Sequence, residues 1–71
     1  MERPLDALSK AKGKTITVAL KNNSVVKGKL DAFDIHINLV LSDAEEINGE
    51  KLKHNQLFIR GDMVVHLSIT N

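Results

Sequence analysis

The sequence predicts a mainly β domain in which a short N-terminal α-helix precedes five antiparallel strands, strongly bent into a small open barrel. Three observations carry that prediction. The apolar period changes from helical to alternating after Gly13, turn signals cut the alternating stretch at intervals, and Gly28 sits inside one alternating run. A length of 71 residues makes this a single domain over 1–71.

The helix rests on Pro4, suited to a first helical position, on Leu5 and Leu8 three apart, and on Gly13 just past the end. Two turns are too few to stand alone, so the helix must lean on the sheet. Ile16, Val18 and Leu20 then share one face of a first strand, and Lys21-Asn22-Asn23-Ser24 reads as a turn. Val26, Gly28, Leu30 and Ala32 continue the inward face, with Lys27, Lys29 and Asp31 toward water. Ile37, Leu39 and Leu41 form a third alternating set, and Asn48-Gly49 is the strongest hairpin signal in the chain. Leu57-Phe58-Ile59 ends a fourth strand, Gly61 breaks it, and Val65, Leu67 and Ile69 mark a fifth. Glycine inside a strand costs stability unless a bend or a close backbone approach requires it, so Gly28 is read as the bend that lets the sheet curl. A surface glycine on an edge strand is the competing reading.

Composition narrows the function. Below roughly 80 residues one apolar core contributes only ~3–5 kcal/mol, and a disulfide, a metal or a partner subunit usually adds support. The chain has no cysteine, which removes the first option and thiolate metal sites with it. The partner subunit is left. An open sheet has two edges of unpaired backbone groups, and after Asp62 the last strand carries no acid, lysine or proline to blunt one of them. Such an edge favours strand addition between copies; if the two free edges differ, the contact is head to tail and closes a ring or grows a fibre, with the ring favoured. A fifth strand shielded by the helix in a monomer is the alternative. A formal charge of +1 does not fit a polybasic arm, and no basic-then-apolar leader or membrane-length apolar run is present, so a cytoplasmic location is expected.

Catalysis finds no support in the residues. His36, His54 and His66 lie in different segments, without helical ligand spacing or a nucleophile–base arrangement. Lys12-Gly13-Lys14-Thr15 resembles the tail of a phosphate loop, but the position of its leading glycine is Leu8. No catalytic residue, metal or cofactor is therefore expected. One polar concentration remains. Asp34-Ile35-His36-Ile37-Asn38 interrupts the apolar alternation, with His36 and Asn38 two apart on one face, and Arg60-Gly61-Asp62 follows the fourth strand. This set suits an unpaired base. Imidazole and guanidinium each offer a flat stacking face, and an asparagine amide places donor and acceptor side by side, matching N3–H and O4 of uracil. Asp62 could accept hydrogen bonds that orient Asn38 or the nearby backbone. Taken singly, each of these residues is also an ordinary turn or surface residue.

The run Val26–Leu41, with a strand glycine, an Asp, a His and an Asn among apolar residues, resembles the first motif of the Sm-like (Lsm) family, and Leu57–Leu67 resembles the second. Arg3-Pro4-Leu5-Asp6-Ala7-Leu8 and Asp43-Ala44-Glu45-Glu46 resemble the archaeal Sm-like proteins in particular. That resemblance covers Arg3 to Ser68. It implies the Sm fold, with neighbours joined through the fourth and fifth strands into a homo-oligomeric ring, most often a heptamer. It further implies single-stranded uridine-rich RNA bound in the lumen by His36, Asn38 and Arg60. Asp62 would then be a supporting acceptor, Asp34 a brace for the loop between the second and third strands, and Gly61 part of the same support. The family scaffolds ribonucleoprotein assemblies in RNA processing and turnover, which brings in other RNA-processing proteins as partners. A second RNA surface on the helix face would use Arg3 with the Phe33 ring. Two other functions stay open: a ring acting mainly through protein contacts, and a general single-strand binder of the OB type, for which Phe33 and Phe58 are few aromatics.

Overall fold

A computed structural model describes residues 3–70. Helix α1 (Pro4–Ala11) is followed by β1 (Thr15–Leu20), β2 (Val25–Phe33), β3 (Leu39–Asn48) and β4 (Glu50–Ile59). A 3-10 turn over Gly61–Met63 then leads into β5 (Val64–Ile69). Pro4 opens α1, where its missing N–H removes nothing from the helix. The Arg3 N–H donates to the Asp6 carboxylate at 3.3 Å while the Asp6 N–H donates back to the Arg3 carbonyl at 2.9 Å. At the other end Gly13 takes φ +85° and its N–H donates to the Leu30 carbonyl at 2.8 Å, turning the chain onto the sheet. Leu8 and Ala11 face the core, which supplies the tertiary support that so short a helix needs.

All strand pairs are antiparallel, and their order is β4-β3-β2-β1-β5. Ile16, Val18, Val26, Leu30, Leu39, Leu41, Ala44 and Ile59 fill the concave side, each at most 6% exposed. The turn after β1 uses its asparagines as expected: Asn23 adopts φ +68°, and Asn22 Oδ1 accepts the Ser24 N–H at 3.0 Å. Gly49, at φ +79°, closes the β3–β4 hairpin.

Gly28 lies in the middle of the sheet, which removes the edge-strand reading. A Cβ there would sit 3.0 Å from Ala44 Cα and 3.2 Å from the Ser42 carbonyl oxygen. Opposite it, Asp43 takes φ +49° and the β2–β3 register slips between Lys27 and Lys29. Glycine and bulge together make the bend.

Two strand assignments need correction. A second register slip, between Leu30 and Ala32, reverses the alternation at the end of β2. Ala32 is consequently exposed and Phe33 packs against the core, whereas strict alternation places Ala32 inside. Ile37 does not belong to β3; it lies in the preceding loop at φ +61° with its side chain against the core. Among the described strands, β4 and β5 each pair on one side only and are the free edges.

Because the space at Gly28 is bounded by backbone, Gly28→Ala is expected to destabilise the fold by about 1–3 kcal/mol. Denaturant midpoints of the two proteins at equal concentration measure this, and an unchanged midpoint contradicts the close approach.

Candidate functional site

The loop from Asp34 to Asn38 is organised by one carboxylate. Asp34 Oδ1 accepts the backbone N–H groups of His36 at 2.8 Å and Asn38 at 3.1 Å, and Oδ2 accepts from Asn38 Nδ2 at 3.0 Å. The backbone closes the same turn, with Ile37 N–H donating to the Asp34 carbonyl at 3.1 Å and Asp34 N–H to the Asn38 carbonyl at 3.2 Å. A β-branched residue at positive φ is strained by ~1–3 kcal/mol. At Ile37 the Asp34 hydrogen bonds and the core packing of its side chain hold that conformation. His36 and Asn38 are thereby left exposed on either side of a half-buried anchor. Their common direction comes from this turn and not from strand alternation.

The second segment is locked to the first. Gly61 N–H donates to Asn38 Oδ1 at 2.7 Å, and a Cβ at Gly61 would overlap the His36 carbonyl oxygen. Only glycine allows the two turns to touch. From the other side, the Lys21 N–H donates to the Met63 carbonyl at 2.8 Å and ties the 3-10 turn to the β1–β2 hairpin. His36, Asn38, Arg60, Gly61 and Asp62 line one open cleft of about 480 Å³.

The Asn38 amide is held at both ends. One N–H is given to Asp34 and one lone pair is taken by Gly61, so a second N–H and a second lone pair remain. Flipping the amide would set oxygen against carboxylate and NH2 against N–H, so its orientation is fixed. Asp62 plays no part in this clamp. Its Oδ1 lies 3.6 Å from Arg60 Nε, and Asp34 performs the orienting that the sequence reading offered to Asp62. Both members of the Arg60–Asp62 pair are mostly exposed, so solvent leaves Arg60 free to move.

A second cleft adjoins the first, with Phe33, Val40 and Phe58 on one side and Asn38 and Arg60 shared between the two. Arg3 and Phe33 are separately engaged: Arg3 Nε lies 3.3 Å from Asp6 Oδ2, and Phe33 is half-buried against the core. Phe58 was not singled out as a surface group by the sequence reading, though its place in the outward register of β4 could have revealed it. Among the described residues there is no cluster of three or more His, Cys, Asp or Glu that could hold a metal, and no helix long and apolar enough to cross a membrane.

The LSM domain profile matches residues 6–69, a span that contains both turns of the cleft. The chain belongs to the LSM family. An snRNP Sm-like protein of Thermococcus kodakarensis is 48% identical over 69 residues, covering 94% of this chain and 91% of the relative. Among solved structures, the Pyrococcus abyssii Sm protein in complex with a uridine heptamer superposes with a TM-score of 0.90 at 42% identity, covering 97% of this chain and 100% of that one. The P. aerophilum SmAP1 heptamer gives a TM-score of 0.90 at 33% identity over 100% and 97%. The helix and bent five-stranded sheet described above are thus the LSM fold.

In this LSM domain the Asp34 carboxyl is held below the ordinary aspartate range, first by the Asn38 side-chain hydrogen bond and then by the backbone N–H groups of Asn38 and His36. A lowered value means that the folded state favours the carboxylate. Its stabilisation is therefore present above the ordinary aspartate pKa and lost as pH falls through the lowered one. NMR titration is expected to place the Asp34 carboxyl below an unperturbed aspartate, with the Asn38 side-chain amide shifting in the same step. Gly61→Ala is expected to displace the 34–38 loop and destabilise the protein by at least ~1–3 kcal/mol; unchanged amide shifts for His36 and Asn38 would contradict the contact.

Proposed function

We propose that this chain forms a ring of identical subunits and binds single-stranded, uridine-rich RNA in the cleft of His36, Asn38 and Arg60. The observation that carries this reading is the Asn38 amide, fixed by Asp34 and Gly61 with one donor and one acceptor to spare. A free donor beside a free acceptor matches O4 and N3–H of uracil. His36 and Arg60 supply flat faces for stacking on either side, Asp62 stands beside Arg60 as a solvent-screened counter-charge, and Asp34 and Gly61 support the amide. The complex of the 42%-identical P. abyssii protein with a uridine heptamer supports the same chemistry.

The ring follows from the sheet. β4 and β5 leave unpaired N–H and C=O groups at different edges, so a contact of β4 with a neighbour's β5 is head to tail, which gives a ring where the rotation closes and a fibre where it does not. The P. aerophilum heptamer favours a ring of that size. A protomer of charge +1 is a weak partner for RNA, but a ring gathers every copy of Arg60 around one opening. Stacking contributes only ~1–3 kcal/mol per base, so a single cleft binds weakly, and clefts linked by one strand gain through effective concentration. Such a ring would act as a cytoplasmic scaffold for ribonucleoprotein assembly in RNA processing or turnover, meeting other processing proteins there, without catalysis of its own. A helix-face RNA contact through Arg3 and Phe33 would be additional to the lumen.

Native mass spectra with and without an oligouridine are expected to show one ring mass and then that mass plus RNA. A folded single copy at micromolar concentration contradicts the ring. Asn38→Ala is expected to keep the ring mass while losing about tenfold or more of the preference for poly(U) over poly(A). Equal binding of the two polymers by the unmodified protein contradicts the base site. A ring that binds neither at moderate salt is instead a scaffold built on protein contacts.

A further inference from the structure

The tip of the β3–β4 hairpin carries a reactive pair that the fold leaves uncovered. Asn48 ends β3 and Glu50 opens β4, so Gly49 alone connects the two strands. Asn48 and Gly49 are both exposed, and nothing stands within 4 Å of where a Cβ on Gly49 would be. Among the described residues neither the Gly49 N–H nor the Asn48 side-chain amide has a hydrogen-bond partner. The other described asparagines differ in this respect. After Asn22 the Asn23 N–H donates to the Leu20 carbonyl at 3.0 Å, and after Asn23 the Ser24 N–H donates to Asn22 Oδ1 at 3.0 Å. The Asn38 amide is clamped by Asp34 and Gly61, and Gln56, which follows Asn55, is held in the β3–β4 ladder. Asparagine is a labile side chain because the next backbone nitrogen can attack it, and an engaged N–H or a clamped amide opposes that attack.

We propose that Asn48 and Gly49 form a self-modifying site, which converts Asn48 to aspartate or isoaspartate with water as the only co-reactant. The Gly49 nitrogen gives up its proton and attacks Asn48 Cγ. The Cγ–Nδ2 bond breaks, and the amide nitrogen takes up a proton and leaves as ammonia, closing a five-membered imide. Water then adds to one imide carbonyl and breaks its bond to the Gly49 nitrogen. Opening at Cγ gives aspartate on an unaltered main chain, and opening at the main-chain carbonyl gives isoaspartate, with the chain routed through Cβ and Cγ. Nothing is oxidised or reduced. Both products replace a neutral amide by a carboxylate. The chain has ten Lys and Arg against nine Asp and Glu, so one more carboxylate per copy cancels its formal charge of +1. A ring of identical copies thereby loses its whole net positive charge. Asn48 and Glu50 form one end of the β3–β4 ladder, and Leu39 and Ile59, next to the cleft, form the other. The change therefore weakens long-range attraction for RNA while sparing the groups that read the base. That consequence rests on the RNA reading; the modification itself does not.

The test ages the intact protein in isotopically labelled water beside Asn48→Gln, whose longer amide would have to close a six-membered ring. The unmodified protein is expected to move by one negative charge per copy on ion exchange, and its peptide containing residues 48 and 49 to gain one labelled oxygen, while Asn48→Gln keeps its charge. An unmodified protein that holds its charge as long as Asn48→Gln does, or that changes first at Asn22, Asn23, Asn38 or Asn55, overturns the site. The aged fraction, separated by charge, and Asn48→Asp are both expected to bind an oligouridine severalfold more weakly than fresh protein at low salt, with the preference for poly(U) over poly(A) unchanged. Equal oligouridine binding by fresh and aged protein overturns the charge consequence. Fresh protein that binds no oligouridine yet still loses the Asn48 amide overturns the RNA reading alone. Should Asn48→Asp lose its strand signal in circular dichroism, the aged fraction decides the comparison.

Discussion

The contact between Gly28 and Ala44 sets the curvature on which the molecule depends. A flat five-stranded sheet would expose one face of its apolar residues, although the two turns of the cleft adjoin in either case because Leu39 pairs with Ile59. Removing a side chain from β2 at the point where β3 bulges lets backbone approach backbone, and both strands bend there. Among the described residues, the bend encloses a core small enough for ten buried apolar side chains to fill, two of them from the helix. It also leaves β4 and β5 as unpaired borders, so closure of the core and availability of the edges come from one constraint.

The cleft repeats that economy. Its chemistry needs few groups, but each must be aimed, and the aiming is done by backbone. Asp34 collects two N–H groups and an amide from its own loop, and the Gly61 N–H, from a distant segment, donates to Asn38 Oδ1. Ile37 anchors the turn from below at the expense of a strained φ. Strain of this kind survives only where the surroundings over-determine it, and here hydrogen bonds and apolar packing act on the same residue from opposite sides.

Much of this was legible in the residues. Pro4, Gly13 and the change of period announced the helix and its end, Asn48-Gly49 announced a hairpin, and Gly28 announced a bend. Legibility failed where register slips. Alternation carries no record of a bulge, so Ala32 and Phe33 exchanged sides after Asp31. It failed again for the acids. Asp34 and Asp62 stand equally close in sequence to a residue of the cleft, and only the turn geometry turns the first toward Asn38 and the second toward Arg60. His36 and Asn38 line one cleft, and a turn, not strand alternation, sets them side by side. The motifs carried the family membership more securely than any single residue could, because both occur in order within one short domain.

The immobilised Asn38 amide has a meaning for pyrimidine choice. Cytosine presents an acceptor at N3 and a donor at its exocyclic nitrogen, the mirror of uracil's pattern. A side-chain amide free to rotate could satisfy either base by exchanging its two ends. Pinned between a carboxylate and a glycine N–H, this one has a single polarity, and cytosine would set like against like at both positions. In the proposed uridine site, discrimination between the two bases would thus originate in residues that need never touch either.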